Sequence, residues 1–432
     1  MQTTILILIS IFFLYVFKTY SRSFKDFVFL IPVVNALTDM TIGYSNEKIF
    51  AIFSIIRASL IYGVIFMVLR KNLVKKDPMI WSILIAVSYY FLTVFFSSNI
   101  LLSLNSYLRM IVSLFMVLVG YYAINNQEDL MKINRLYLWS LFILILNFSV
   151  AQVFKIGSNP YDDLETQFYL GGGGVQLITS LPFILFTFPF ALQYAKKPLH
   201  RYIYLFLSII AVLIVMIAMK RIVVAALAIG FAVFFYYSFR SKKILFSLIL
   251  VFALLYITLP FYENILTSRT KRLEDTNIRE EKQAKDFNWW LTDLKENHNI
   301  IFFGREFLNS RDTIGKGQRG LHVDYLILLH GTGIIGLLLY FNILWQIIRK
   351  FHRLNKVYKS NFFFKASKTT FWALIFCMLT VSFSGGLVGI TARSYAFLYL
   401  GVILGYFEKL APLRQEEFNY TDIVNDKIRV RN

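Results

Sequence analysis

A single cysteine stands among 432 residues, and charged side chains make up only 16% of them. Cys377 lies inside an apolar run, so an intrachain disulfide is excluded. So little charge is unusual for a soluble domain of this length. Histidine is also scarce, with five in all, and no His/Cys group has metal-ligand spacing, so no metal and no cofactor is expected. No glycine-rich loop carries the lysine of a nucleotide-binding motif, and there is no G-x-S-x-G elbow. No internal repeat is evident, which argues against an inverted-repeat transporter. The N-terminal stretch MQTTILILISIFFLYVF lacks a basic leading region and a small-residue cleavage site, so it is expected to stay as a first helix.

What the chain does have is apolar length. Hydrophobic residues are 57% of it and aromatics 18%. Apolar runs fall near 3–18, 27–44, 47–69, 78–97, 104–123, 135–155, 173–194, 201–219, 221–238, 243–262, 323–348, 369–389 and 394–407. Runs of this kind can cross roughly 30 Å of hydrocarbon. The expected fold class is all-α: a polytopic helical membrane protein with about twelve or thirteen spans. The count turns on 27–44, which Pro32, Asn35 and Asp39 interrupt and which is either a crossing helix or a broken, re-entrant segment.

The net charge of +20 would suggest a nucleic-acid partner in a soluble protein. Here the basic residues sit between spans, where topology and anionic headgroups account for them, so the expected environment is membrane lipid and no nucleic acid. RKNLVKK (70–76), AKKPLHR (195–201), FRSKK (239–243) and the basic run at 349–368 mark a cytoplasmic side. SSNILLS (97–103) is uncharged and GSNPYDDLETQFYLGGGG (157–174) is acidic, so these face outward. The expected organisation is membrane helices over 1–262, a large outer loop over 263–322, further helices over 323–407 and a cytoplasmic tail over 408–432.

Two groups of residues carry chemistry. The first is cationic. Arg57 and Arg109 lie inside spans, and Lys220 with Arg221 forms a sharp outer turn. Intramembrane arginines mark paired or functional sites. Asp39 is a local partner on offer for Arg57; the alternative is an anionic ligand such as a lipid-linked phosphate. The second group opens the run from Arg319 to Lys350. His322 can accept a proton from a hydroxyl near neutral pH. Tyr325 shares its helix face, and His330 is read as an interhelix hydrogen-bonding residue. Gly331, Gly333 and Gly336 are read as permitting close helix packing. Trp289 and Trp290, on an amphipathic stretch of the loop, suit either a headgroup level or a sugar face.

Order and spacing of these elements resemble the O-antigen polymerase and O-antigen ligase family. The residues that carry the resemblance are Trp290, FFGRE (302–306), His322 with Tyr325 and Leu326, GIIG (333–336) and the basic turn at 220–221. Three positions depart from the family pattern. Glu306 stands where a glycine is usual, Lys220 where a serine is usual, and the arginine expected just before the tryptophan is replaced by Arg279, Lys282 or Lys285. The resemblance implies a membrane glycosyltransferase of the GT-C type in a bacterial inner membrane, with the large loop facing the periplasm. Its donor and acceptor would be polyprenyl-diphosphate-linked oligosaccharides, and a chain-length regulator protein would be a partner. It implies His322 as the catalytic base and Arg221, Lys220, Arg109 and Arg57 as donor-diphosphate ligands. Arg279, Arg305, Trp290 and Tyr325 would be loop contacts. The expected function is a polymerase of lipid-linked repeat units; the alternative is a ligase acting on a lipid A core, and the rival from another class is a transporter or flippase of lipid-linked glycans.

The charge alternation predicts accessibility. Tags at Asn159 or within 270–318 should be labelled from outside intact cells, and tags at Lys197 and Lys356 should not. Labelling of the two lysine positions from outside would invert the orientation.

Overall fold

The computed structural model describes most of residues 2–238, a few positions between 288 and 298, and residues 300–308, 323–358, 362–384 and 391–409. The expected span at 243–262, most of the 263–322 loop and the tail after 409 lie outside the described residues. Regular structure among the described residues is helical, with no strand.

The helices are α1 (Gln2–Tyr20), α2 (Asp26–Thr41), α3 (Glu47–Asn72), α4 (Pro78–Val94), α5 (Ile100–Ala123), α6 (Gln127–Phe154), α7 (Val175–Leu185), α8 (Phe188–Ala191), α9 (Pro198–Ala218), α10 (Arg221–Ser238), α11 (Ile300–Phe303), α12 (Asp324–Val357) and α13 (Phe362–Val381). A last helix, α14, covers 391–409. Five of the helices are long and apolar enough to cross a membrane, so the protein is membrane-embedded. Local sequence sets several boundaries. Asp77 caps α4 by accepting from the Met79 amide, with Pro78 in the first turn, where no N–H is needed. Asn126 and Asp129 form a capping box at the start of α6.

Polar contacts tie the helix ends into two levels. At the lower end, Lys350 pairs with Asp77 at 2.6 Å and with Glu408 at 2.9 Å. Lys409 donates to the carbonyls of Tyr121, Tyr122 and Ile124. It thereby satisfies the open C-terminus of α5 and opposes its dipole. Above it, α14 and α5 touch through backbone, because a Cβ at Gly401 would fall on the Val117 carbonyl. Small residues at such contacts let membrane helices approach closely.

Helix α2 settles one open expectation. It is buried along nearly its whole length. Near its start Asp26 pairs with Lys132 of α6. Just beyond its end the Tyr44 hydroxyl donates to Asn147 Oδ1 at 2.9 Å. The helix therefore runs beside α6 as one unbroken element. Pro32 is tolerated inside it, with the Tyr395 hydroxyl donating to the Pro32 carbonyl at 2.8 Å.

The apolar run expected at 323–348 is not one continuous helix. Helix α12 has 34 residues, about 51 Å if straight, too long for one crossing. It is broken at Gly333, whose φ is 65° and ψ −174°. The rings of Tyr325 and Phe341 stack with centroids 5.9 Å apart. On an uninterrupted helix those positions would be about 24 Å apart. The segment before Gly333 thus folds back as a short arm against the segment after it. The long arm runs down to Lys350, about 25 Å along its axis.

The short segment 300–308 secures this turn. The Arg305 amide donates to the His330 carbonyl at 2.6 Å, and the Tyr89 hydroxyl to the Thr332 carbonyl at 2.8 Å. Tyr90 donates to the Gly336 carbonyl at 2.8 Å. Carbonyls released by the broken helix are thereby satisfied, as an apolar surrounding demands. A Cβ at Gly333 would meet the Phe302 carbonyl.

The backbone of Gly333 is of the kind that only glycine adopts without strain of about 1–3 kcal/mol. Gly333→Ala should therefore lower thermal stability in detergent by at least that amount. Gly63→Ala, where a Cβ meets nothing within 4 Å, should be neutral or stabilising by up to about 1 kcal/mol. Equal melting temperatures for the two variants would contradict the fold-back.

Candidate functional site

The fold-back has an electrostatic consequence. Because the short arm returns along the long one, Asp324 lies inside the bundle at the level of Tyr340. The Arg393 guanidinium, on the first turn of α14, pairs with the Asp324 carboxylate. It also donates to the Ser382 hydroxyl at 2.9 Å and the Tyr340 hydroxyl at 2.8 Å. Asp324 is 1% exposed and Arg393 2%. A buried pair of this kind survives only with such added hydrogen bonds. Tyr325 completes the wall, donating to the Leu379 carbonyl at 3.1 Å and meeting Phe383 edge-on.

Lys220 sits in the turn between α9 and α10, outside both helices, and donates to the Thr179 hydroxyl at 3.0 Å. Burial pushes its ammonium down to about 8, and the Asp324 carboxylate opposes that shift. Among the described residues the Asp324 carboxylate thus lies within reach of two cations, Arg393 and Lys220. Three separate stretches of chain meet here: the turn at 220, the start of α12 and the start of α14. A cluster with two cations at the upper level of a membrane bundle suits an anionic group brought in by a lipid.

Compared with known proteins, the chain matches no family model and no curated protein sequence.

Arg57 pairs with Asp39 at 2.9 Å, with Thr391 of α14 beside that carboxylate. The paired alternative thus accounts for Arg57. Arg109 is exposed on the outer face of α5. Arg305 is exposed, and it is its backbone that takes part in the turn. His330 is buried at the break, 1% exposed. Trp290 is half-buried on the loop. His322 and Arg279 lie outside the described residues, as does the side chain of Arg221, which begins α10. Lys220 and Tyr325 are therefore the expected residues that the fold brings together.

Glu306 occupies a backbone that ordinarily favours glycine. Its φ is 54°, a left-handed backbone that suits glycine and costs other residues about 1–2 kcal/mol. The side chain offsets that strain. Its carboxylate, buried at 2% exposure, accepts the Ser98 amide at 3.0 Å. The neighbouring Phe307 amide donates to the Ser97 hydroxyl at 2.9 Å. Together these bonds clasp the loop segment to the turn between α4 and α5.

The residue that sequence reasoning missed is Arg393. The signal was present, a lone arginine in the apolar stretch GITARSYAFLYL, to which the rule applied to Arg57 applies equally. What could not be read was its partner, because Asp324 reaches it only through the fold-back.

Removing either partner should leave a buried charge unpaired. Asp324→Asn and Arg393→Met should each destabilise by about 3–5 kcal/mol. The double variant should recover a large part of that loss, giving a strong positive coupling in a thermal-stability cycle. Additive losses would show that the two groups do not act as a pair.

Proposed function

We propose that the protein is a membrane-embedded glycosyltransferase that lengthens a lipid-linked glycan. The growing chain moves from its polyprenyl diphosphate onto a sugar hydroxyl of the next lipid-linked unit. The observation that carries this reading is the convergence of Lys220, Arg393 and Asp324 immediately after His322 in the chain. Cations at that level can neutralise the diphosphate as it departs. His322, two residues before Asp324 in the sequence, is the proposed acceptor of the hydroxyl proton. The loop over 263–322, anchored at its 300–308 segment, would cover the reacting sugars and keep water from hydrolysing the donor. The same reading places the loop and the upper level on the periplasmic side of a bacterial inner membrane. It makes the product O-antigen, capsule or exopolysaccharide.

The ligase reading uses the same chemistry with a lipid A core sugar as acceptor. The flippase reading draws support from one observation, the broken helix with charges buried beside the break, which transporters also use. Purified protein that lengthens a lipid-linked oligosaccharide without ATP or nucleotide sugar supports the polymerase. Protein that only moves the lipid across a vesicle membrane supports the flippase.

Two variants test the roles. His322→Gln keeps a donor and an acceptor but cannot take a proton near neutral pH, so initial rates should fall by roughly 10²–10⁴-fold. Substantial lengthening by that variant would end the general-base role. The second test is pH. Lys220 is charged below about 8 and neutral above it, so its hold on the diphosphate is lost as pH rises through that value. Wild-type activity should show an alkaline limb there. Lys220→Arg, which stays charged, should shift that limb upward; an unchanged limb would remove Lys220 from the site.

A further inference from the structure

Arg109 does not join the cluster at Lys220, and its surroundings point elsewhere. It lies on α5, whose first turns expose one face: Leu101, Asn105, Leu108 and Arg109 are exposed. From Met110 to Gly120 the helix is buried on every side. The exposed face thus ends at Arg109. Beside it the Tyr62 hydroxyl of α3 donates to the Leu108 carbonyl at 2.8 Å, where the two helices close together. Between Ala51 and Tyr62 the exposed side chains of α3 include Ile55 at 64% and Ile52 at 57%, with Ser59 the small polar exception, which suits a surface facing hydrocarbon.

Asn105 and Arg109 are four residues apart and share that face. Among the described residues neither side chain has a hydrogen-bond or ion-pair partner. A cation and an amide facing lipid without partners are costly, and such residues are kept for a ligand or a pathway. Arg109 is about 13 Å along α5 from its upper end. Side chains lean toward a helix N-terminus, so the guanidinium reaches up toward Asn105. Two donors one turn apart, about 5–6 Å between Cβ atoms, match two linked phosphoryl groups better than one.

We propose that the Asn105–Arg109 face is a lateral docking site for the diphosphate of the carrier lipid, separate from the cluster where the transfer occurs. The lipid approaches between α3 and α5 and is held by its headgroup before it moves inward. This rests on the glycosyltransferase reading for its choice of lipid. The phosphate of an ordinary bilayer phospholipid is the competing occupant.

The full-length protein in phosphatidylcholine nanodiscs is titrated with polyprenyl diphosphate, with and without excess phosphatidylglycerol. Arg109→Leu should weaken binding about tenfold or more, Asn105→Leu should weaken it less, and phosphatidylglycerol should not displace the diphosphate lipid. The melting temperature of Arg109→Leu should not fall, because leucine suits that face better than arginine does. In the lengthening assay the loss should appear as a raised KM for the donor. Unchanged binding, displacement by phosphatidylglycerol at equal concentration, or a lowered melting temperature without a binding change would each overturn the proposal. If the wild type binds polyprenyl diphosphate through Arg109 yet lengthens no glycan, the enzymatic reading fails and the docking site stands. If lengthening persists with the donor KM unchanged in Arg109→Leu, the docking site fails and the enzymatic reading stands.

Discussion

The reversal of chain direction at Gly333 is the constraint on which the rest depends. Without it, α12 would be a single rod longer than the membrane is thick, and Asp324 would stand above the bundle. With it, the first turn of α12 returns into the bundle and meets Arg393, Tyr340 and Ser382. The turn is held from outside by the 300–308 segment and by two tyrosines of α4. Loop docking and the buried ion pair are therefore one structural event. A change that loosens the loop at Glu306 should be felt at Asp324, because the neighbouring Arg305 amide is bonded to the His330 carbonyl of the short arm.

Charge is arranged by level. At the lower end Lys350, Asp77, Glu408 and Lys409 tie helix ends together, which is structural work near a headgroup layer. Higher up, Arg57 is matched by Asp39, while Asp324 is shared between Arg393 and Lys220. That unequal sharing distinguishes a site from a strut. A cation whose carboxylate is already engaged is ready for a second anion, and a depressed ammonium is one whose charge the surroundings do not fully support. In the proposed reaction that second anion is the diphosphate leaving group.

Much of the helical architecture was legible in the sequence because apolar length and basic loops are direct consequences of bilayer thickness and topology. The runs at 47–69, 104–123 and 201–219 correspond to α3, α5 and α9. The Arg57–Asp39 pair was also legible, since the two sit on successive helices joined by a short turn. Pro32 suggested an interruption that neighbouring helices compensate, so α2 is unbroken. The break in α12 was harder. Three glycines marked the place, but hydropathy carries no information about a positive φ, and glycines in a membrane helix serve close packing as readily as reversal. Arg393 was missed for a related reason: its meaning lies in a partner that only the reversal supplies.

The most direct test of the account is the distance between the two arms of α12. With Cys377→Ser as background, Tyr325→Cys and Phe341→Cys are introduced together and treated with a short bis-thiosulfonate linker in membranes. The fold-back predicts efficient intramolecular cross-linking, seen in the intact single-chain mass as one linker bridging both thiols with both sulfinate groups released. A continuous helix would hold the two positions about 24 Å apart, beyond the linker's reach. Two singly attached linkers per chain, one on each cysteine and none bridging, would contradict the fold-back and, with it, the cluster on which the proposed chemistry depends.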